Sequence, residues 1–337
     1  MEKIVIYGGG NTGKSAYYYF KSQNKYECLF FVDNDKSKQG TLFEGLEMKS
    51  PDVLRELKGV KVIIASIFWR EILQEVENIT GLDVAIYGPA IEDHVSPAVK
   101  EELDNRTINL GSFLKAQGEI KCKELVFVPG GSQILDYVFL KALAEKYHCK
   151  KYLEIGTYIG ESINILSDCC DKLYSITAPK EGSPFSADSW CRDLNLPNYS
   201  ERLAYSDKIS HHYTDSKIFD FSKIEENIDL YFIDGDHSYL GVYTDTKNIF
   251  QTRSKDSIVV WHDFRKGGFA YVNETITAVK DALGEQFKNV YVTNGNYCGV
   301  YLPDMYIEDF EICGGIKYEK NAKLYTYDIS LGNCHIK

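Results

Sequence analysis

The chain has 337 residues, 44% apolar and 26% charged, an ordinary globular composition in a length too great for one core. A formal charge of −11 argues against the concentrated basic surface that a phosphate backbone requires, so no nucleic-acid partner is expected, while one local basic pocket for a phosphorylated small molecule stays open. No apolar run is long enough to cross a membrane, and nine cysteines without a C-x-x-C pair give neither a zinc ribbon nor a disulfide framework; reduced thiols and a cytoplasmic protein are expected.

Met1-Glu2-Lys3 leads straight into the strand-like run Ile4-Val5-Ile6-Tyr7, so no signal peptide is expected. Gly8-Gly9-Gly10 and a helix-like stretch through Tyr19-Phe20 follow. A second strand, Leu29 to Val32, ends at Asp33. Val60–Ala65 and Val84–Tyr87 are further strands, and between them Ile72, Leu73, Val76 and Ile79 recur at helical spacing. Continuous apolar strands separated by helices predict a parallel sheet covered on both faces, forming a domain over 1–100. Pro89 and Pro97 break that pattern, and 101–132, punctuated by Gly111, Gly118 and Pro129-Gly130-Gly131, is read as a connector carrying short structure of its own. After a helix over Ile134–Leu143, a second α/β series starts at Lys151, with strands at Tyr152–Ile155, Leu173–Ile176, Ile209–Tyr213, Leu230–Ile233 and Ile258–Trp261. A helix near Thr275–Leu283 precedes Val290–Val292 and Gly299–Leu302, an antiparallel pair expected at the sheet edge. The second domain is set at 133–305, and the tail 306–337 has no assigned place. The fold class is α/β, with two Rossmann-like three-layer α/β/α domains.

The loop Gly8-Gly9-Gly10-Asn11-Thr12-Gly13-Lys14-Ser15 satisfies two patterns. As G-x-x-x-x-G-K-S it implies a triphosphate cradle with Lys14 on the phosphates and Ser15 on magnesium, hence a nucleotide hydrolase. As G-x-G-x-x-G it is a Rossmann-type turn, with Gly8, Gly10 and Gly13 letting the backbone approach a pyrophosphate and Asp33, about twenty residues on, taking a ribose. Context favours the second, because Val62–Ala65 ends at Ser66 rather than at a magnesium-binding acid. The bland alternative is a glycine turn kept for helix–strand packing. With Phe31-Val32-Asp33-Asn34-Asp35 and Lys38-Gln39-Gly40, this segment resembles the N-terminal domain of bacterial sugar O-acyltransferases, which implies a nucleotide-sugar ligand for the first hundred residues.

In the second series, Glu154-Ile155-Gly156-Thr157-Tyr158-Ile159-Gly160 joins a strand to a helix. Its glycines would let amides face a carboxylate, while the acid inside the motif suits an ammonium group. Asp229-Leu230-Tyr231-Phe232-Ile233-Asp234-Gly235-Asp236-His237-Ser238-Tyr239 delivers two carboxylates and a histidine to a strand end, and Ile258-Val259-Val260-Trp261-His262-Asp263-Phe264 does the same one strand later. Open α/β sheets place their ligand crevice at that edge. The three motifs in this order resemble the class I SAM-dependent methyltransferases, nearest the branch of sugar and antibiotic O-methyltransferases, over roughly Gln133 to Pro303.

That resemblance implies S-adenosyl-L-methionine (SAM) as cofactor, held by Glu154, Gly156, Thr157, Gly160, Thr177 and Asp234. Thr177 stands where the family has an acid for the ribose hydroxyls. The resemblance places Asp234, His262 and Asp263 at the metal-binding positions of the metal-dependent members, with magnesium and metal-free chemistry both left open; His262 stands where some relatives have aspartate, and imidazole is a poor magnesium ligand. Asp236 or His237 is the candidate general base, and Asp234 and Asp263 could instead cap helices. His211 and His212 adjoin on a strand and point to opposite faces. Lys180 and Arg265 are candidate phosphate contacts, each also read as a solvated charge. Trp190-Cys191 reads as packing, and 179–198 as a substrate lid or a rigid loop. The expected partner is a small-molecule acceptor, a sugar or nucleotide sugar, with neither nucleic acid nor membrane; a homo-oligomer is compatible. The competing reading is a non-catalytic nucleotide-binding protein with a decayed SAM site.

Overall fold

Ile4, Val5, Ile6 and Tyr7 are all buried, so β1 (Glu2–Tyr7) is covered on both faces, as its unbroken apolar run requires. The computed structural model describes residues 1–79, 81–92, 97–126, 131–179, 192, 202–224, 227–266, 270–315, 326 and 328. These divide into two units, residues 1–96 with 238–240 and residues 97–237 with 241–337. Most of the segment 179–198, including Lys180 and Trp190-Cys191, lies outside the described residues, as does most of the tail beyond Gly315. Among the described residues no helix is long and apolar enough to cross a membrane.

In the first unit β1 is followed by α1 (Asn11–Ser22), β2 (Tyr26–Val32), β3 (Leu42–Phe43), β4 (Leu46–Lys49), β5 (Lys61–Ile64), α2 (Trp69–Glu77), β6 (Asp83–Ile86) and α3 (Pro89–Glu92). The sheet runs β3-β4-β2-β1-β5-β6, parallel except for the short β3–β4 hairpin. Chain order reverses at β1, so the glycine loop sits where a doubly wound sheet opens a crevice. Ile72, Leu73 and Val76, which the helical spacing predicts, form with Trp69 the buried stripe of α2, and Ile79 lies beyond the end of the helix.

The second unit begins with α4 (Pro97–Asn105), β7 (Thr107–Ile108), α5 (Leu110–Gln117) and α6 (Ile134–Lys146). It continues through β8 (Lys151–Ile155), α7 (Glu161–Leu166), β9 (Lys172–Thr177), β10 (Ile209–Tyr213), β11 (Leu230–Ile233), α8 (Tyr239–Thr252) and β12 (Ile258–Trp261). A small ribbon of β13 (Arg265–Lys266) and β14 (Ala270–Tyr271), helix α9 (Asn273–Leu283), β15 (Val290–Thr293) and β16 (Gly299–Tyr301) complete it. The sheet order is β10-β9-β8-β11-β12-β16-β15-β7. β8 to β12 are parallel, while β16 runs antiparallel to both β12 and β15.

Two expectations are corrected here. The β15–β16 pair forms as predicted but is not the edge: β7 pairs with β15 in parallel, Val292 opposite Thr107, and lies outside it. The stretch 101–132 is therefore more than a connector, since it supplies that edge strand and puts Leu110, Phe113 and Leu114 of α5 into the core with Phe139 and Phe310. Two residues of β7 carry too little pattern for period-2 reading, so only the pairing reveals them.

Candidate functional site

Chain order reverses between β8 and β11, and the loops leaving these two strands touch. Gly156 has φ +90°, and a Cβ there would lie 2.1 Å from the backbone oxygen of Asp234. Only glycine permits both the left-handed backbone and the close approach. The Gly156 amide donates to Ile176 O at 2.9 Å and that of Asp234 to Ile155 O at 2.8 Å, which stitches the strand ends together. Thr157 Oγ1 lies 2.5 Å from Ser175 Oγ, and Gly160 N donates to Thr157 O. Thr177, at the end of β9, is buried, and its carbonyl accepts from Thr214 N at 2.9 Å.

Glu154 is fully buried on β8. Its Oε2 accepts from Tyr152 OH at 2.9 Å and from Ser162 Oγ at 2.6 Å, while Oε1 has no partner. Burial pushes its carboxyl up to about 7, against the hydrogen bonds that favour the anion. A buried acceptor without a donor, at the head of a glycine loop, fits an incoming ammonium group.

The strand ends of β11 and β12 converge. His237 places Nε2 3.2 Å from Asp234 Oδ1 and Nδ1 2.9 Å from Asp263 Oδ2. His262 places Nδ1 3.2 Å from Asp234 Oδ1 and 3.4 Å from Asp263 Oδ1, and its Nε2 3.2 Å from Asp136 Oδ2. His237 is half-exposed, His262 nearly buried and Asp136 fully buried. Burial acts to lower both histidines, but the flanking carboxylates win: His237 is pushed up to about 10 and His262 well above the usual imidazole range. Burial likewise opposes ionisation of Asp234 and Asp263, yet the two imidazoles hold both below the usual carboxylate range.

Of the predicted residues, Asp234, His237, His262 and Asp263 therefore come together beside the Gly156 loop. Asp236 does not join them; its Oδ2 pairs with Lys217 Nζ at 3.0 Å, and a Cβ on Gly241 would strike it. Of the two alternatives left open, magnesium at Asp234, His262 and Asp263 is not supported: among the described residues no group of His, Cys, Asp or Glu is arranged to hold a metal, and the imidazoles occupy the space between the carboxylates. Arg265 is neither the solvated charge nor the phosphate contact of the sequence reading but an interior tie, 2% exposed, donating to Thr293 O at 2.8 Å and Tyr271 OH at 2.9 Å. His211 and His212 diverge as expected, one against Ala204 O and the other against the Phe219 ring.

Sequence reasoning missed Asp136, Ser132 and Lys217. Ser132 Oγ donates to Asp234 Oδ2 at 3.3 Å. Asp136 accepts from Gln133 N at 2.8 Å in a capping box at the start of α6, and from Tyr297 N at 2.9 Å. The spacing Gln133-x-x-Asp136 was the available signal for the cap, not for its second task beneath His262.

In the first unit the glycine loop closes on itself. A Cβ on Gly13 would lie 1.8 Å from Gly8 O, and one on Gly8 2.2 Å from Ala65 O, so packing alone requires these two glycines. Gly10 has open space in front of it. Asp33 Oδ2 accepts from Gly9 N at 2.7 Å and pairs with Lys38 Nζ at 3.0 Å. Lys14 pairs with Glu44 at 2.7 Å and Ser15 Oγ lies 3.1 Å from Tyr87 OH, so the groups a triphosphate cradle would need are committed to separate partners.

The second unit is a Rossmann-like α/β unit with a glycine turn and paired acids at the switch point of its sheet. Residues 153–264 match the family model of a methyltransferase domain. Residues 1–85 match a family described as C2185-like, N-terminal. No curated protein matches the chain. Similar solved structures include CalS11, a TDP-rhamnose 3'-O-methyltransferase of calicheamicin biosynthesis, 14% identical over 63% of this chain and 96% of its own, TM-score 0.37. The SAH-bound methyltransferase PaMTH1 of Podospora anserina is 15% identical over 69% of this chain and 96% of its own, TM-score 0.38. UDP-D-quinovosamine 4-dehydrogenase from Vibrio fischeri is 22% identical over 25% of this chain and 76% of its own, TM-score 0.23.

Proposed function

We propose that this protein transfers a methyl group from SAM to a hydroxyl of a sugar or nucleotide-linked sugar. The observation that carries the reading is the half-exposed His237 ring set between Asp234 and Asp263, one loop away from Gly156. When bound, SAM supplies a sulfonium-activated methyl, so the protein's share is alignment and removal of the hydroxyl proton. Gly156, Thr157 and Gly160 would shape the cofactor loop, Glu154, whose Oε1 has no partner, would take the ammonium group, and Thr177 with Asp234 would complete the binding set. His237 is the base, with Asp263 fixing its Nδ1 as carboxylates fix catalytic imidazoles elsewhere. Because its flanking acids hold His237 protonated, the proton-accepting form grows as pH rises. Asp236, tied to Lys217, is the second candidate base.

A sugar hydroxyl is favoured by the likeness of the Ile233–Tyr239 and Trp261–Phe264 strand ends to sugar and antibiotic O-methyltransferases. The glycine loop and Asp33 of the first unit are proposed, separately, to bind a nucleotide or nucleotide sugar. Calorimetric titration with SAM, SAH and a panel of nucleotide sugars tests each unit in turn. SAH should bind, His237→Ala should lower turnover on the order of 10²–10⁴-fold with SAH affinity intact, and Asp236→Asn should do so only if Asp236 is the base instead. Silence from both SAM and SAH would remove the proposal, and binding without turnover on any acceptor would favour a decayed cofactor site.

A further inference from the structure

Asp234 and Asp263 stand at adjacent strand ends, and all four of their carboxylate oxygens already face a donor. Oδ1 of Asp234 faces His237 Nε2 and His262 Nδ1, each at 3.2 Å, and its Oδ2 accepts from Ser132 Oγ at 3.3 Å. Oδ1 of Asp263 faces His262 Nδ1 at 3.4 Å and its Oδ2 faces His237 Nδ1 at 2.9 Å. His262 cannot swing out of this arrangement. Its Nε2 is fixed 3.2 Å from Oδ2 of Asp136, a fully buried carboxylate whose other partners are the Gln133 and Tyr297 amides and Cys298 Sγ. A ring with a carboxylate oxygen against each nitrogen donates from both, and an imidazole that donates from both is a cation.

We propose that His262, locked by Asp136, is the built-in cation of this site, holding Asp234 and Asp263 together where a divalent ion would otherwise bridge them, so that the protein needs no metal. A divalent ion requires oxygens at about 2.0–2.6 Å and would have to displace an imidazolium. Displacement would strand the negative charge of Asp136 in the interior, because no water reaches that carboxylate to replace the lost partner. His262 thus acts as a positioning residue: its charge sets the spacing of the two acids that face His237. Its importance for turnover rests on the methyltransferase reading, whereas the statement about metal binding stands without it.

The test is a manganese titration of the full chain after chelator treatment, followed by electron paramagnetic resonance, with SAH affinity measured on the same samples. Wild type should bind no stoichiometric Mn²⁺, and its SAH affinity should not change with EDTA. His262→Asp, alone and with Asp136→Asn so that no buried carboxylate is stranded, should bind Mn²⁺ at least tenfold more tightly than wild type. The neutral control His262→Asn should not bind it. One equivalent of Mn²⁺ on wild type, lost in Asp234→Asn or Asp263→Asn, would overturn the inference even if no His262 variant folds. Failure of SAH to bind would count against the methyltransferase reading and leave the manganese result to decide this one.

Discussion

Asp136→Asn removes one charge from a pair whose two members are both withdrawn from water. Breaking a buried ion pair by deleting one partner costs about 3–5 kcal/mol. Here the low end applies, because His262 keeps Asp234 and Asp263 at 3.2 and 3.4 Å and the amide retains one acceptor for the Gln133 or Tyr297 N–H. A loss of about 3 kcal/mol in a unit of this size lowers the thermal midpoint by roughly 6–12 °C. Urea denaturation of wild type, Asp136→Asn, His262→Asn and the double variant closes a cycle, in which the double variant should cost less than the two singles together by about 1–3 kcal/mol. The pH dependence has a definite sign. Burial pulls His262 down, but the Asp234 charge and the Asp136 bond raise it above its reference value of 6.5, so its contribution is full below that pH and fades as pH climbs through the folded value. Asp234, held below 3.8 by the imidazoles against its burial, contributes above that value and loses its share on acidification. The gap between wild type and Asp136→Asn should therefore narrow as pH rises from 6.5. Additivity of the two single variants to within about 0.5 kcal/mol, or a gap indifferent to pH, would refute the buried pair.

Three further outcomes follow from single contacts. Gly156→Ala combines a φ of +90° with a Cβ 2.1 Å from Asp234 O, so SAH affinity by calorimetry should fall at least tenfold; unchanged affinity would remove this loop from the cofactor site. Gly13→Ala should destabilise the first unit by about 1–3 kcal/mol in thermal melts, since its Cβ would meet Gly8 O at 1.8 Å, and a silent substitution would show that the turn can open. Lys14→Ala should leave both the melting midpoint and methyl transfer unchanged, because its ammonium pairs with Glu44 in solvent; lost turnover would revive the triphosphate reading.

The parallel strands were legible because each is an unbroken apolar run between turn signals, and Leu230–Ile233 and Ile258–Trp261 lie where that reading puts them. The acids and histidines of the site were legible for the same reason: Asp234 and Asp263 follow directly on such runs, so strand position fixes their place at the sheet edge. What they bond to was not. Asp136 lies about a hundred residues before Asp234 and inside a helix whose apolar periodicity explains it as a cap, so its contact with His262 depends on how α6 crosses the sheet. Ser132 sits in a loop and Lys217 in the three-residue 3-10 turn Ser216–Ile218, where no periodicity says which way a side chain turns. The pairing of Asp236 has a similar origin: it lies two positions after Asp234 and directly before His237, yet the loop turns it to Lys217.

The two-residue strand β7 bears on how the second unit could be excised. Thr107 and Ile108 seal the flank of β15, Ile108 also bridges to Ile312, and Arg106 caps the carbonyl of Phe287. A fragment starting at residue 133 would keep every motif of the methyltransferase domain and yet lose this seal, leaving the amides and carbonyls of β15 open to any strand that approached. Such a truncation should self-associate, whereas one that starts before Pro97 keeps its border closed.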